Sequence, residues 1–213
     1  MRTRAFTLLE ILVALALVGL VLVAMNTFIF SMGELWGRNS DVRLFDRHVR
    51  SVSRFLQEEL RSAALPPAGR ANETAIAPRE VRGSNGLTEP LLTFELAAGS
   101  RLIIWPDRPL PDVVCSLAVR NGQGLVLLWK SRHELRFDQL TPRETVITPL
   151  VTGLSYEYYD PDFRTWRNET QLRRGSGGEF QSPQRLRLRF AHGSLTREVQ
   201  IQLPTPTEGL PYF

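Results

Sequence analysis

The fold is decided by Arg4-Ala5-Phe6-Thr7-Leu8-Leu9-Glu10, which leads into Ile11-Leu12-Val13-Ala14-Leu15-Ala16-Leu17-Val18-Gly19-Leu20-Val21-Leu22-Val23-Ala24-Met25. Between positions 6 and 30 the only charged residue is Glu10. A run of roughly 20 apolar residues is long enough to cross a bilayer as a helix. The stretch therefore predicts a membrane-spanning helix over residues 6–30.

Glu10 is the residue of this span that needs an explanation. A carboxylate at the centre of a spanning helix costs about 2.5–3.5 kcal/mol on insertion scales. An ionisable residue inside a membrane marks a functional site by default. Glu10 lies only about 6 Å of helix rise beyond Phe6, so the alternative is a boundary residue at the membrane interface, where its cost is small.

The residues before the span predict its orientation. Arg2 and Arg4 precede the apolar run, and basic residues favour the cytoplasmic side of a membrane. An ordinary secretory signal has a shorter apolar core followed by a small-residue cleavage site. Ala14-Leu15-Ala16 has the small-x-small form, but it lies inside the run. We therefore expect a cytoplasmic N-terminus and a retained anchor.

The motif of a small residue, Phe, Thr, Leu, Leu and Glu before an apolar stretch resembles the signal of type IV prepilins and type II secretion pseudopilins. The resemblance implies that a prepilin peptidase cuts between Ala5 and Phe6 and methylates the new Phe6 amine. The family usually has Gly before the cut; Ala5 is also small, so we expect the cut, and its efficiency stays open.

Cleavage would create an ammonium group close to Glu10. In a helical filament, the Phe6 amine of one subunit can approach the Glu10 carboxylate of its neighbour. Pairing a charge at low dielectric recovers much of its desolvation cost, whereas an unpaired charge recovers none. We therefore expect Phe6 and Glu10 to favour docking of a subunit onto the assembly over residence alone in the membrane.

The helix is predicted to continue beyond the membrane. Apolar residues recur at spacings of three and four, with charged residues on the other faces, as in an amphipathic helix. The stripe consists of Val42, Phe45, Val49, Val52 and Leu56. Pro66-Pro67 ends the pattern, so the helix is predicted over residues 6–64. The chain thus divides into a leader over 1–5, a span over 6–30, an amphipathic half over 31–65 and a β domain over 66–213.

Short strands are predicted throughout the remainder. Residues 68–90 are predicted as a loop with one short strand. A hairpin is predicted from residues 91–96 and 102–105 around Ala98-Gly99, and another from residues 113–119 and 125–129 around Asn121-Gly122. Residues 155–158 and 199–203 are also predicted as strands.

The segment Arg185-Leu186-Arg187-Leu188-Arg189-Phe190 alternates strictly between arginines and apolar residues. Such alternation is typical of an antiparallel sheet with one solvated face. Together with the long helix, it predicts an α+β fold in which a pilin-like N-terminal helix packs on an antiparallel β-sheet domain.

Composition bounds the function. The chain has 213 residues, a formal net charge of +4 and 23% charged residues. Its basic residues are spread along the chain rather than clustered with aromatic platforms, so we do not expect nucleic acid as a partner. Cys115 is the single cysteine. An internal disulfide is therefore excluded, and Cys115 is predicted to be a small buried residue.

No pattern of catalytic or metal-binding residues is present in the sequence. His48, His133 and His192 lie far apart and lack a partner at metal-ligand spacing. Asp160-Pro161-Asp162 does not fit an EF-hand and is predicted as a turn before Trp166. The glycine-rich stretch at 175–178 lacks the lysine of a phosphate-binding loop. We therefore expect no enzymatic activity, no cofactor and no metal.

Downstream features sharpen the resemblance. Pro-Leu-Leu-Thr-Phe at 90–94, Gly-Leu-Ser-Tyr-Glu-Tyr-Tyr-Asp at 153–160 and Gln-Leu-Pro at 202–204 look like the minor pseudopilin J family of type II secretion. That family has two antiparallel sheets in its globular part. The resemblance implies a place at the pseudopilus tip, where J joins minor pseudopilins I and K and primes assembly of the major pseudopilin on the inner-membrane assembly platform.

The sequence leaves two alternative functions open. A minor pilin of a type IV pilus, serving adhesion or DNA uptake, would carry the same N-terminal motif. The arginines of 185–189 are the feature that favours DNA. A membrane-anchored enzyme or binding module is a different class, and it would need a polar pocket that the sequence does not reveal.

Overall fold

The computed structural model of the protein describes residues 8–63, 76–83, 86–103, 111–175 and 177–204. For residues 34–39 it describes the helical backbone and not the side chains. Its contacts divide the chain into two compact units, Met1–Arg47 and His48–Phe213. The predicted processing residues Ala5 and Phe6 lie outside the described residues.

The N-terminal helix, α1, spans Leu8–Ser62, which is 55 residues. Among the described residues it agrees with the predicted range of 6–64 except at Ala63, which forms a turn. Glu10 lies in its first turn and Arg61 in its last, the arrangement that the helix dipole favours. Near the C-terminal end, the Ser62 hydroxyl donates to the Glu58 carbonyl at 2.9 Å.

The first sheet is a five-stranded antiparallel meander in sequence order. Its strands are β1 Ile76–Arg82, β2 Thr88–Leu96, β3 Val113–Arg120, β4 Gly124–Ser131 and β5 Arg143–Thr148. The predicted hairpin around Asn121-Gly122 is confirmed, since β3 pairs with β4 across this turn. Gly122 has a φ of 78°, a conformation that glycine adopts without steric cost.

The predicted hairpin around Ala98-Gly99 is wrong. β2 pairs instead with β3, and Leu96 lies opposite Val113. The chain after Gly99 turns rather than extending, because the Ile103 amide donates to the Ser100 carbonyl at 3.0 Å. Residues 104 and 105 lie outside the described residues. β2 also begins at Thr88, inside the segment predicted as a loop, because Thr88 already pairs with Arg82 of β1.

The second sheet has four antiparallel strands in the order β7-β6-β8-β9. They are β6 Val151–Asp160, β7 Thr165–Glu169, β8 Arg185–His192 and β9 Leu195–Gln202. The alternation in β8 is confirmed: Leu186, Leu188 and Phe190 are fully buried. β9 begins at Leu195 rather than at position 199, since its pairing with β8 continues to the turn.

The C-terminal part of α1 belongs to the second unit and supplies part of its core. Val49, Val52 and Leu56 are buried, as the predicted stripe requires. At one end of this segment, His48 Nε2 lies 2.8 Å from Thr148 Oγ1 of β5. At the other, Arg101 Nη1 donates to Glu58 at 3.2 Å. The chain therefore has an α+β pilin-like arrangement, with a long apolar N-terminal helix followed by antiparallel sheets.

A buried carboxylate lies on the arginine-bearing face of the second sheet. Glu157 of β6 is 1% exposed, and its Oε1 accepts hydrogen bonds from Arg187 Nε at 2.7 Å and from Gln200 Nε2 at 3.2 Å. Its Oε2 has no hydrogen-bond partner among the described residues. Arg187 thus pairs with the buried Glu157 carboxylate, and it also pairs with Glu198 at 3.3 Å.

We expect Arg187→Ala to destabilise the protein by about 2 kcal/mol. Removing one partner of a buried ion pair costs about 3–5 kcal/mol, and the 31% exposure of the Arg187 side chain lowers that figure because water can reach the gap. Arg189→Ala is the matched control, because Arg189 is exposed and lies on the same face of β8. Denaturant unfolding of the chain in lipid nanodiscs would measure both, and equal losses would contradict this role for Arg187.

Candidate membrane anchor and assembly segment

The first half of α1 has no polar face. Residues Leu8–Gly33 have a mean hydropathy of 2.8 over the most apolar window, and none of that window is buried within the chain. Large apolar side chains such as Leu8, Leu20 and Phe30 are mostly exposed. A helix that is apolar on every side is buried in a membrane or in a protein core. This segment is therefore consistent with a single membrane anchor, and it can also pack against other subunits.

The polar groups within this segment are few. The Thr27 hydroxyl donates to the Val23 carbonyl at 2.5 Å, so it satisfies its hydrogen bond within the helix, as a hydroxyl in hydrocarbon requires. Glu10 is the one charged side chain of the segment Leu8–Gly33. It is exposed in the first helical turn.

The pairing of Glu10 with a neighbouring Phe6 amine stays a prediction. The structure holds one chain, and Ala5 and Phe6 lie outside its described residues. What the structure does establish is the position of Glu10 on an exposed apolar helix.

The histidines of the second unit make local contacts. His48 contacts Thr148 of β5, and His133 Nε2 lies 2.8 Å from Asp112 Oδ2 on an exposed surface. Across the part of the chain that the structure describes, no group of three or more His, Cys, Asp and Glu residues could hold a metal ion. Cys115 is buried, as predicted, and burial raises the pKa of its thiol.

The predicted turn before Trp166 is confirmed as the link between β6 and β7. Asp160 caps it, because its Oδ1 accepts from the backbone amides of Asp162 at 3.1 Å and Phe163 at 3.3 Å. Its Oδ2 pairs with Arg167 at 2.6 Å. The acidic residues here therefore organise a hairpin.

Glu59 is a buried acid that the sequence analysis did not single out. It lies on the apolar side of α1 and is buried. The Ser100 hydroxyl and the Arg101 backbone amide donate to it, and its Oε2 has no partner among the described residues. Its spacing from Val52 and Leu56 places it on the apolar stripe, so this spacing was the signal available in the sequence.

We expect Glu59→Gln to stabilise the protein increasingly as the pH rises. Burial raises the pKa of Glu59, and the hydrogen bonds from Ser100 and Arg101 oppose that shift. The unfolded chain therefore loses this proton first, and the stability of the native protein falls as the pH rises from about 4.5 through the folded pKa. Glutamine keeps the acceptor oxygen and has no charge.

The measurement is the free energy of unfolding of both proteins in lipid nanodiscs, followed from below pH 4.5 to neutral pH. Glu58→Gln is the control, since it removes an exposed carboxylate from the adjacent helix position. A difference between Glu59→Gln and wild type that stays constant with pH would contradict the prediction.

Comparison with known protein families matches residues 1–26 to the prokaryotic N-terminal methylation motif. The match supports a pilin-like or pseudopilin-like protein and implies processing by a prepilin peptidase and assembly with other pilin-like subunits. A search of curated proteins finds no significant similarity.

Proposed function

We propose that the protein is a minor pseudopilin of a type II secretion system, part of the pseudopilus tip complex that primes assembly for export of folded proteins across the outer membrane. The observation that carries the proposal is the methylation motif directly followed by an exposed apolar helix. The α+β unit after the helix fits the globular part of such a subunit.

In this proposal the chain first resides in the bacterial inner membrane. Its N-terminus is cytoplasmic and its globular unit is periplasmic, as Arg2 and Arg4 favour. The prepilin peptidase cuts between Ala5 and Phe6 and methylates Phe6. The apolar helix then leaves the lipid and packs against other subunits, and Glu10 pairs with the amine of a neighbour. The partners are minor pseudopilins I and K, the major pseudopilin and the assembly platform.

The role is structural in this proposal, without catalysis. A minor pilin of a type IV pilus is the alternative, and one version of it binds DNA through the arginines of β8. Two of these arginines are engaged within the chain: Arg187 pairs with Glu157 and Glu198, and the Arg185 guanidinium lies 3.7 Å from the centre of the Trp166 ring. These two arginines are therefore less available to contact phosphates, which weakens the DNA-binding version of the alternative.

The proposal has a two-part test in the native bacterium. Mass spectrometry of the protein from cells with an intact prepilin peptidase should find a mature chain that begins at methylated Phe6. Deletion of the gene should stop the export of folded enzymes and leave surface pili intact. Loss of pili with normal export would overturn the secretion assignment in favour of the pilus. An N-terminus still at Met1, or loss of the whole apolar helix, would overturn both.

A further inference from the structure

A cavity of about 600 Å³ lies between the two sheets of the second unit. One wall comes from β2 and β3, with Leu91 and Leu117, and the other from β6 and the segment after β7, with Leu154 and Leu172. Cavities of about 300–1,000 Å³ with apolar walls and a few placed polar groups are typical of small-ligand sites. Among the described residues, those that line the cavity all belong to the second unit.

Tyr156 of β6 is a buried polar side chain that lines the cavity. It is 5% exposed, yet its hydroxyl has no hydrogen bond to any described residue and is not sealed from solvent. A buried tyrosine usually finds a partner for its hydroxyl. Burial raises the pKa of Tyr156, and the nearby Glu89 carboxylate raises it further. The phenol is therefore protonated and has a hydrogen bond to donate into the cavity.

The charged side chains of Glu89, Arg120 and Arg174 line the cavity. Arg120 and Glu89 satisfy each other through two hydrogen bonds. Arg174 is 63% exposed, and its ion pair with Glu80 is long, at 3.9 Å. Its guanidinium lies 4.7 Å from the centre of the Phe180 ring, which also lines the cavity. The rim therefore presents a guanidinium that can accept an anion next to an apolar surface.

We propose that this cavity binds a ligand with an apolar body and one carboxylate. The body contacts the leucines and Phe180, Arg174 pairs with the carboxylate, and the Tyr156 hydroxyl donates to an acceptor on the part of the ligand inside the cavity. Such chemistry has two sources, a small free organic acid and the carboxyl terminus of a peptide. The inference does not depend on which filament the protein joins.

The test uses the full chain in lipid nanodiscs and isothermal titration calorimetry, with empty nanodiscs as the blank. The probes are 3-(4-acetylphenyl)propanoate and its uncharged amide, which differ in the carboxylate alone and both carry a ketone oxygen that can accept a hydrogen bond from Tyr156. We expect saturable binding of the acid and about tenfold weaker binding of the amide, since a charge-assisted hydrogen bond to Arg174 is lost. Equal binding of acid and amide would overturn the proposal, as would absence of saturable binding of the acid.

Two substitutions locate the site. Arg174→Gln should weaken binding of the acid about tenfold and leave binding of the amide unchanged. Tyr156→Phe should weaken binding of both probes about threefold, because it removes one neutral hydrogen bond. The matched controls are Arg189→Gln and Tyr158→Phe. Arg189→Gln removes an exposed charge from the outer face of β8. Tyr158→Phe removes a phenol whose oxygen already accepts a hydrogen bond from the Arg173 amide at 3.0 Å. Binding affinities that are unchanged by Arg174→Gln and by Tyr156→Phe would show that the ligand does not bind in this cavity.

A second pair of probes separates the two sources. The tripeptide Gly-Gly-Phe is compared with a free and with an amidated carboxyl terminus, under the same conditions. Tighter binding of the free tripeptide than of 3-(4-acetylphenyl)propanoate supports a peptide terminus as the ligand. The reverse order supports a small organic acid. Failure of the ligand proposal would appear in the calorimetry, whereas failure of the proposed function would appear in processing and export. The two failures are therefore distinguishable.

Discussion

Replacing Glu10 by leucine should leave the protein in the membrane and reduce its incorporation into the assembly by roughly a hundredfold or more. The substitution removes the one charge from an otherwise apolar segment, so insertion becomes more favourable. In the filament, however, it would leave the Phe6 amine of the neighbouring subunit without its partner. Breaking a buried ion pair in this way costs about 3–5 kcal/mol, and about 2.7 kcal/mol corresponds to a hundredfold change in an equilibrium.

The measurement is the ratio of assembled to membrane-resident protein in cells that express the other subunits. Glu10→Gln should fail to assemble as well, since it keeps the shape of the side chain and removes the charge. Leu12→Met is the matched control, because it changes an exposed apolar residue of the same helix and leaves the charge in place. Normal incorporation of Glu10→Leu would contradict the pairing.

Replacing Gly124 by alanine should cost about 4 kcal/mol of stability. Gly124 begins β4 with a φ of 75°, and a Cβ there would lie 2.3 Å from the Thr148 carbonyl oxygen and 2.6 Å from Pro149 Cα. Both are backbone atoms, which cannot move aside as the end of a flexible side chain can. A left-handed conformation costs a non-glycine residue roughly 1–2 kcal/mol, and overpacking adds typically about 1–3 kcal/mol.

Gly122→Ala is the matched control for that prediction. Gly122 lies in the same hairpin with a φ of 78°, but a Cβ there would meet nothing within 4 Å. Its substitution should therefore cost only the conformational share, roughly 1–2 kcal/mol. Denaturant unfolding in lipid nanodiscs would measure the free energy of unfolding of both variants. An equal loss of stability in the two variants would show that the close approach of β4 to Thr148 and Pro149 does not add to the cost of the Gly124 substitution.

The elements predicted correctly are those whose signal is local. The alternation of β8 determines which of its side chains are buried, because successive residues of a strand point to opposite faces. Asn121-Gly122 determines a hairpin, because its geometry requires a conformation that glycine adopts freely. The hairpin predicted around Ala98-Gly99 failed because apolar residues such as Leu102 and Ile103 fit a strand by composition, while the chain there forms turns.

The buried acids show a second limit of the sequence. Glu59 is recognisable from its spacing on the helix, but its partners at Ser100 and Arg101 follow from the fold. Glu157 stands in an alternating strand where a solvated charge is expected, yet it is buried under Arg187 and Gln200. Burial of a charge depends on the side chains that neighbouring strands bring to it.

The sequence by itself determined the apolar N-terminal helix, the prepilin-like motif and the α+β class, because each depends on residues adjacent in the chain. The tertiary structure alone decided that β2 pairs with β3, that Gly124 must be glycine and that a cavity with Tyr156 and Arg174 lies between the sheets. Those features arise where segments distant in sequence meet, and their energies depend on the distance and burial that the packed fold imposes.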